Sequence, residues 1–441
     1  MRTKDLIAKR QRRERKQARA ERNTMEKRNI EENTYKESYQ LPKDFDEKVL
    51  KELKHLPTSI SNEEVLRRRD MRNILTFTID PDDAKDFDDA LSFQILDTGN
   101  YQIGIHIADV THYVQEGTAV DEEAYQRGTS IYLVDRVIPM LPERLCNELC
   151  SLRPNEDKLC MSVIVEMDQH AKVIRHKICR TIIRSNHRLT YQQAQTMLEE
   201  AKGGELPEAL QTLNRLAKQL RTKRFEHGAI NFETPEVRFH LNEEGYPTDI
   251  IFDHSTDANH LIEEFMLLAN RIIAKEIGGN EAKGERSFVY RVHDVPDPEK
   301  LVKLGNFIRQ FGFHLRTSTK RSVQNKHINS LLDSCQGTNS QMLIETLTIR
   351  AMAKAVYSTS NIGHYGLAFP YYTHFTSPIR RYPDMMVHRL VARYLLQSKS
   401  PCRHDKEVLE EACVHCSDTE QMAQSAERDS IKKMQAKWKS N

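Results

Sequence analysis

A run of ten residues, 80–89, carries six aspartates and lies between two apolar stretches. Residues 74–79 (Ile-Leu-Thr-Phe-Thr-Ile) and 90–96 (Ala-Leu-Ser-Phe-Gln-Ile-Leu) are rich in β-branched and aromatic residues, which predicts a strand on each side. The acidic run is therefore predicted to be a turn held between two ordered strands. Carboxylates crowded this closely raise one another's pKa unless a positive charge neutralises them.

A hard divalent cation would neutralise such a cluster, since oxygen ligands suit Mg²⁺, Ca²⁺ or Mn²⁺. An acidic surface turn ordinarily explains two or three aspartates, but rarely six between apolar strands. A helix-loop-helix calcium site needs acidic residues at alternate positions and a glycine at its sharp turn. The first glycine of the chain is Gly99, which excludes that motif. We therefore predict a catalytic metal site within residues 80–89.

The charge of the chain is unevenly distributed. The formal net charge of the 441 residues is only +2, yet residues 1–30 carry twelve Lys or Arg against four Asp or Glu. Residues 1–40 contain no Gly, Pro or apolar stripe, which predicts a basic arm that is a solvated helix or disordered. Two interpretations of this arm stay open, a segment that attracts nucleic-acid phosphates and a solubilising tail.

The cysteines and the hydropathy pattern indicate a cytoplasmic chain without a membrane span. Eight cysteines occur without a secretory signal, so we expect reduced thiols, and no run of eighteen apolar residues exists. Cys402, His404, Cys413 and Cys416 have a spacing that could hold zinc. Because Cys413 and Cys416 fall inside a predicted helix, buried helix cysteines are the favoured interpretation.

The chain is predicted to fold as an α+β domain over residues 73–436, because strands dominate its first half and helices its second. A connector, 41–72, precedes the domain, and a tail, 437–441, follows it. Further strands are predicted at 101–107, 130–133, 162–167 and 173–178. Helices are predicted at 191–201, 206–224, 257–279, 297–311, 340–358, 382–397 and 405–436.

A second constellation lies in residues 373–389, where Arg380 and Arg381 shortly precede a predicted helix that starts near Pro383. Two guanidiniums beside free backbone N–H groups suit a phosphate. The alternative is a structural arginine that pairs with a carboxylate such as Asp384. Beside an aspartate cluster, an arginine clamp on a metal-bridging phosphate is the favoured interpretation.

Taken together, residues 78–92 and 372–389 resemble the signature of the ribonuclease II / ribonuclease R family. The residues of these motifs are most similar to the bacterial ribonuclease R branch. Segments 106–110, 137–143, 149–152, 261–264 and 426–428 agree with the family in the same order. The resemblance implies a ribonuclease II-type catalytic domain, with mixed β-sheets surrounded by helices. It also implies a hydrolytic 3′-to-5′ exoribonuclease that depends on Mg²⁺ and releases 5′-mononucleotides from single-stranded RNA.

The resemblance also implies a role for individual residues. The metal ligands would be the four aspartates whose offsets match the family motif, namely Asp80, Asp86, Asp88 and Asp89. Two Mg²⁺ ions are expected, and Mn²⁺ is expected to substitute. The catalytic set is completed by a phosphate-contacting Arg380 and by Glu427. The expected RNA contacts are Tyr132 at the terminal nucleotide, Tyr191 near a sugar, Arg381, and a base-stacking aromatic within 288–290, assigned to Tyr290.

The chain departs from the family pattern outside the catalytic domain. Family members carry OB-fold domains on both sides of that domain, whereas about 70 residues precede the aspartates here and no OB-fold is expected downstream. A natural short form and a fragment of a longer gene both stay open. The leading hypothesis is a monomeric, cytoplasmic exoribonuclease made almost solely of the catalytic domain. Its rivals are an RNA-binding or regulatory protein with little turnover and a phosphodiesterase of short oligonucleotides.

Overall fold

The computed structural model of the protein describes residues 39, 41–42, 44–200, 203–232, 236–279, 286–318, 321–399 and 402–439. The predicted basic arm therefore lies almost wholly outside the described residues. By its internal contacts the chain divides into two compact units, Met1–Phe45 and Asp46–Asn441. All the elements below belong to the second unit, and none of its described helices is both long and apolar enough to cross a membrane.

A seven-stranded mixed sheet forms the centre of the fold, with the strand order β1-β8-β7-β4-β3-β2-β9. Its strands are β1 (Arg69–Asp70), β2 (Thr76–Asp80), β3 (Asp89–Ile95), β4 (Tyr101–Ala108), β7 (Asp157–Met167), β8 (Val173–Arg184) and β9 (His187–Thr190). Neighbours pair antiparallel, except that β1 runs parallel to β8 and β9 parallel to β2. Almost every residue of β7 is buried, as expected for a central strand that is covered on both faces.

Three two-stranded ribbons complete the strands: β5 (Ile131–Tyr132) with β6 (Val137–Ile138), β10 (Glu236–Leu241) with β11 (Pro247–Asp253), and β12 (Tyr290–Val292) with β13 (Val356–Ser358). The α-helices are α1 (Glu47–Lys54), α2 (Asn62–Arg67), α3 (Val110–Tyr113), α4 (Ala119–Arg127), α5 (Tyr191–Glu200), α6 (Glu205–Glu226), α7 (Asp257–Gly278), α8 (Pro298–Ile308), α9 (Arg321–Cys335), α10 (Gln341–Ala351), α11 (Tyr382–Tyr394) and α12 (Lys406–Lys439). A π-helix spans Arg144–Leu149, and a 3₁₀ turn, Arg309–Phe311, follows α8.

Two largely buried helices, α7 and α11, form part of the core. Helix α7 starts at a capping box made by Thr256 and Asn259, and it contacts β4, α6 and α11. Helix α11 has Pro383 in its first turn, as predicted, and it is buried along most of its length. Helix α12 contacts β5 and β13 and buries Cys413 and Cys416, where burial raises the pKa of each thiol. The long helices thus join the two halves of the chain.

The predicted α+β class is confirmed, but several element boundaries are wrong. The helix predicted at 340–358 ends at Ala351, because Met352 turns to an extended conformation and residues 356–358 pair with β12. Strands β7 and β8 extend beyond the predicted 162–167 and 173–178, because they pair with each other along almost their whole length. The hairpin of β10 and β11 was not predicted at all. Pairing between strands overrides local sequence preference at these places.

A row of buried hydrogen bonds crosses the sheet from β3 to β8. His106 on β4 is fully buried, and its Nε2 and Nδ1 lie 2.8 Å and 2.7 Å from the hydroxyls of Ser92 and Ser162. The Ser162 hydroxyl continues the row to Thr181 at 2.7 Å. Burial lowers the pKa of His106 to about 3, so the ring is neutral and can share its two nitrogens with the hydroxyls. The row depends on Gly104, where an added Cβ would overlap both Ser92 and His106.

Gly104→Ala is therefore expected to lower the free energy of unfolding by about 1–3 kcal/mol, the usual cost of overpacking a core. Urea unfolding followed by circular dichroism would measure the change. Gly203→Ala is the matched control, because a Cβ there meets open space, and its effect is expected to stay within about 0.5 kcal/mol. Equal effects of the two substitutions would contradict the role given to the hydrogen-bonded row.

Candidate active site

The acidic loop, residues 81–88, joins β2 to β3 as predicted. Asp80 is the last residue of β2 and Asp89 the first residue of β3, while Asp86 and Asp88 lie on the loop. Asp80 and Asp88 are buried, and Asp86 and Asp89 are half-buried. The remaining two aspartates of the run, at positions 82 and 83, are exposed. Burial thus separates the four motif aspartates from the two that face solvent.

The four buried or half-buried carboxyl groups are poorly compensated. Burial and the neighbouring Asp89 raise the pKa of Asp80 to about 8, and burial raises the pKa of Asp89 to about 6. Burial also raises the pKa of Asp86 and Asp88, against the opposing charge of Arg380. In the part of the chain that the structure describes, the buried Oδ2 of Asp80 has no hydrogen-bond partner. The positive charges of Arg188 and Arg380 therefore do not offset the burial of these carboxyl groups.

Asp88 connects the acidic loop to the loop that precedes α11. Its Oδ1 accepts a hydrogen bond of 2.8 Å from the backbone N–H of Ile379, and its Oδ2 lies 3.9 Å from Nε of Arg380. The backbone oxygen of Asp88 accepts a further bond of 2.9 Å from Ala108 on β4. The two constellations found in the sequence therefore meet at one place.

Arg380 and Arg381 have different environments. The Arg380 side chain is 42 % exposed and donates to the Ser377 hydroxyl at 3.0 Å, so its guanidinium remains accessible. The Arg381 side chain is only 16 % exposed and donates to the buried Asp384 carboxylate at 2.8 Å. The expected contact of Arg381 with RNA is not tested by this arrangement and stays a prediction. The structure gives it the alternative role that the sequence left open, a structural ion pair.

Tyr132 and Glu427 meet at the edge of the same site. Tyr132 on β5 is 40 % exposed, and its backbone N–H donates to Glu427 Oε1 of α12 at 3.0 Å. A second bond of 3.1 Å, from Val134 to the Ser430 hydroxyl, holds the ribbon to the same helix. Burial raises the pKa of Tyr132, and the nearby charges of Arg380, Asp86 and Asp88 also act on it. Glu427 thus fixes the backbone that carries an exposed aromatic ring.

Tyr191 lies beside the strand end that carries Asp80. It opens α5 directly after β9, in which Thr190 pairs with Asp80. Burial raises the pKa of Tyr191, and the negative charges of Asp89 and Asp80 raise it further. Tyr132 and Tyr191 thus both lie near enough to the aspartates to be affected by their charge, and their contacts with RNA stay predictions.

Tyr290 is buried in this structure. The residue is 6 % exposed on β12, and its ring packs edge-on against Phe288 at 5.1 Å between centroids. Gly278 leaves the space that its hydroxyl fills, since a Cβ there would overlap it. Phe288 is fully buried. Neither aromatic ring within 288–290 is exposed in this structure, and a base-stacking role for this segment stays a prediction.

Residues 68–397 match the family model described as the RNB domain. The chain belongs to the RNB-domain family. This agrees with the resemblance seen in its motifs, and the matched span contains all four motif aspartates and both arginines. Glu427 lies beyond the matched span, on a helix that the fold places against β5.

Known proteins resemble this RNB domain in both sequence and fold. Ribonuclease R of Aquifex aeolicus is 40 % identical over 405 residues, which cover 91 % of this chain and 57 % of that protein. Ribonuclease R of Thermotoga maritima is 42 % identical over 399 residues, with coverages of 88 % and 55 %. Mycoplasma genitalium RNase R in complex with ribose methylated single-stranded RNA aligns with a TM-score of 0.83 and 28 % identity, covering 92 % of this chain and 64 % of that one. The chain thus spans just over half the length of these curated relatives.

The donor set of this RNB domain suits a hard divalent cation. Within the described residues, no three His, Cys, Asp or Glu side chains are gathered closely enough to hold an ion as they stand. Nevertheless, Asp80 offers a buried, unpartnered carboxylate oxygen, and the carboxyls around it share one exposed arginine as countercharge. Carboxylate oxygens whose negative charge is not fully compensated are the ligands that Mg²⁺ or Mn²⁺ prefers. The residues therefore fit the expected cofactor.

Two side chains that the sequence did not single out hold the acidic loop of the RNB domain. The Ser151 hydroxyl donates to the backbone oxygen of Lys85 at 2.6 Å and accepts from the N–H of Phe87 at 3.0 Å. Arg188 on β9 donates to two backbone oxygens at the start of the loop. Ser151 lies in the family segment 149–152, and Arg188 lies three residues before Tyr191. In the sequence, the only signal that could have indicated these two residues is that they lie beside recognised motifs.

Proposed function

We propose that this chain is a 3′-to-5′ exoribonuclease that hydrolyses single-stranded RNA to 5′-mononucleotides with Mg²⁺, two ions per site, for which Mn²⁺ can substitute. The observation that carries the proposal is the meeting of the four-aspartate cluster with Arg380 at Asp88. RNA as the substrate is supported by relatives named ribonuclease R and by a neighbour solved with single-stranded RNA. We assign the protein to RNA turnover in the cytoplasm, acting as a monomer.

The metal-binding part of the proposed mechanism falls to Asp80, Asp86, Asp88 and Asp89. When bound, divalent cations would supply the activated water and the charge that stabilises a leaving 3′-oxygen. The aspartates would hold the cations, and Asp88 would hold its position through the N–H of Ile379. The strand ends that carry Asp80 and Asp89 give these groups a rigid base.

The RNA-binding part falls to an arginine and two tyrosines. Arg380 is exposed enough to donate to a phosphate oxygen. From there its positive charge would stabilise the negative charge that develops on the phosphate during hydrolysis. Tyr132 offers a ring for the terminal base, and aromatic stacking accepts every base because each has a π face. Tyr191 lies where it could contact a sugar, and contacts with the 2′-hydroxyl distinguish RNA from DNA.

A time course on 5′-labelled single-stranded RNA tests the proposal. With Mg²⁺ we expect products that shorten progressively from the 3′ end while mononucleotides accumulate, and EDTA should stop the reaction. A DNA oligonucleotide of the same sequence should persist. RNA that is bound but never shortened would contradict the proposal and favour a regulatory RNA-binding protein. Cleavage limited to very short oligonucleotides would indicate a different phosphodiesterase.

Tyr132→Ala is expected to weaken binding of the RNA 3′ end by about 1–3 kcal/mol, the usual contribution of one stacked base. Fluorescence anisotropy with a short 5′-labelled RNA in EDTA would measure the affinity without turnover. Tyr132→Phe is the control, because it keeps the ring and the backbone N–H bonded to Glu427. Similar losses in both variants would show that the hydroxyl, rather than the ring, contacts RNA.

A further inference from the structure

We propose that Arg188 is a positioning residue that holds the acidic loop so that its aspartates can bind metal. The inference rests on the proposed function of those aspartates and assigns a role to a side chain outside the expected ligand set. Arg188 lies on β9 and approaches the loop from the strand next to β2. Among the described residues its hydrogen bonds go to the backbone of the loop and not to Asp88 or Arg380.

The contacts of Arg188 lie at both ends of the acidic loop. Its Nη2 donates to the backbone oxygens of Pro81 at 2.6 Å and of Asp82 at 2.9 Å. Its guanidinium lies over the ring of Phe87, with 5.5 Å to the ring centroid. Pro81 directly follows Asp80 and Phe87 directly precedes Asp88. One side chain therefore fixes the residues next to two proposed metal ligands.

The backbone of the loop, rather than an acidic side chain, is what Arg188 holds. Among the residues that the structure describes, the only carboxylate at ion-pair distance from Arg188 is that of Asp82, at 3.9 Å from Nη1. That carboxylate is 95 % exposed, so the pair is screened by water and contributes little. The two carbonyl bonds lie closer, and a charged donor strengthens both. Loss of Arg188 should therefore change the shape of the loop more than its charge.

The register of the sheet explains why this arginine reaches the loop. Arg188 pairs with Thr78 and Thr190 pairs with Asp80, so β9 runs parallel to β2 up to its last residue. The Arg188 side chain is 20 % exposed and extends past the end of β2 over the first turn of the loop. Ser151 holds the second half of the loop through Lys85 and Phe87. Asp86 consequently lies in a short stretch with fixed points before and after it.

Removing Arg188 has two effects of opposite sign on metal binding. Arg188 is a positive charge bonded to the backbone of Pro81, the residue next to Asp80. Loss of a nearby positive charge alone would strengthen the binding of a cation. Loss of the loop contacts would weaken it, because metal ligands must be oriented by their surroundings. The direction of the change therefore distinguishes positioning from simple electrostatics.

The experiment measures Mn²⁺ binding to the full chain without RNA, from the electron paramagnetic resonance signal of free Mn²⁺. Both Arg188→Met and Arg188→Lys are expected to raise the Kd for Mn²⁺ about 10-fold or more, as is usual when a group that orients metal ligands is lost. Lys keeps the charge, but its shorter side chain lacks the planar guanidinium that lies over Phe87 while Nη2 donates to both carbonyls. Arg175→Met on β8 is the control, since Arg175 is 77 % exposed and pairs with Glu166; its Kd should be unchanged.

Three results would overturn the inference. Unchanged or tighter Mn²⁺ binding by Arg188→Met or by Arg188→Lys, with normal binding by the wild type, would overturn the role of Arg188 alone. A wild type that binds no Mn²⁺ would overturn the proposed metal site and this inference with it. Weaker RNA binding by Arg188→Lys in EDTA, with thermal unfolding unchanged, would assign Arg188 to RNA contact instead. Unchanged RNA binding in EDTA together with weakened Mn²⁺ binding would support the positioning role.

Discussion

Asp88→Asn is expected to lower the single-turnover rate of RNA hydrolysis by at least about 100-fold, while RNA remains bound. The amide keeps the oxygen that accepts from Ile379, so the two loops should stay joined. It removes the charge that faces Arg380 and that would help to hold a cation. RNA binding should be equal or tighter, because a negative charge near the phosphates is lost. Rapid-quench assays and anisotropy measure the two quantities separately.

Asp83→Asn is the matched control for this prediction, because Asp83 belongs to the same acidic loop but is exposed and lies outside the family motif. It should retain near-normal turnover. Near-normal turnover in Asp88→Asn, or an equal loss in both variants, would contradict the assignment of the metal cluster.

Arg380→Ala and Arg381→Ala are expected to damage different properties, although the two residues are adjacent. Arg380→Ala should lower the rate by about 10²–10³-fold, the usual cost of removing one donor that stabilises transition-state charge. Its side chain is 42 % exposed, so stability should change little. Arg381→Ala leaves the fully buried Asp384 carboxylate without its ion-pair partner. The free energy of unfolding should therefore fall by about 3–5 kcal/mol.

Parallel measurements of both variants check this separation. Thermal or urea unfolding gives the stability, and single-turnover hydrolysis at a temperature where both variants remain folded gives the rate. A folded Arg381→Ala with wild-type stability and weakened RNA affinity would support the direct RNA contact first expected of Arg381. A strongly destabilised Arg380→Ala would show that Arg380 is structural instead.

The sequence predicted the class of the fold because its hydrophobic patterns are strong where elements are long. The strand that ends at Asp80 and the helix that begins near Pro383 are both close to their predicted places. Features set by partners distant in the chain were missed. Residues 356–358 include the strand formers Val356 and Tyr357, but three residues are too short a run to predict a strand, and pairing with β12 makes them one.

Candidate site residues could be predicted where several chemically reactive side chains lie within one short segment of sequence. The offsets between the aspartates identified Asp80, Asp86, Asp88 and Asp89, and the structure buries or half-buries all four. Neighbours in sequence could not be ranked by pattern alone. Arg381 follows Arg380 directly, yet the strand-like bridge between Thr129 and Arg381 leaves its side chain against α11. Only burial shows which of two adjacent arginines faces the solvent.

The distances in sequence between the parts of the site have a consequence for the protein during its own synthesis. The bond from Ile379 to Asp88 spans 291 residues, and that from Tyr132 to Glu427 spans 295. Contacts of such separation form late, because closing long loops costs conformational entropy. A nascent chain on the ribosome would thus display its aspartates well before its arginine arrives. With the proposed activity, an unfinished chain could not degrade the messenger RNA from which it is being translated.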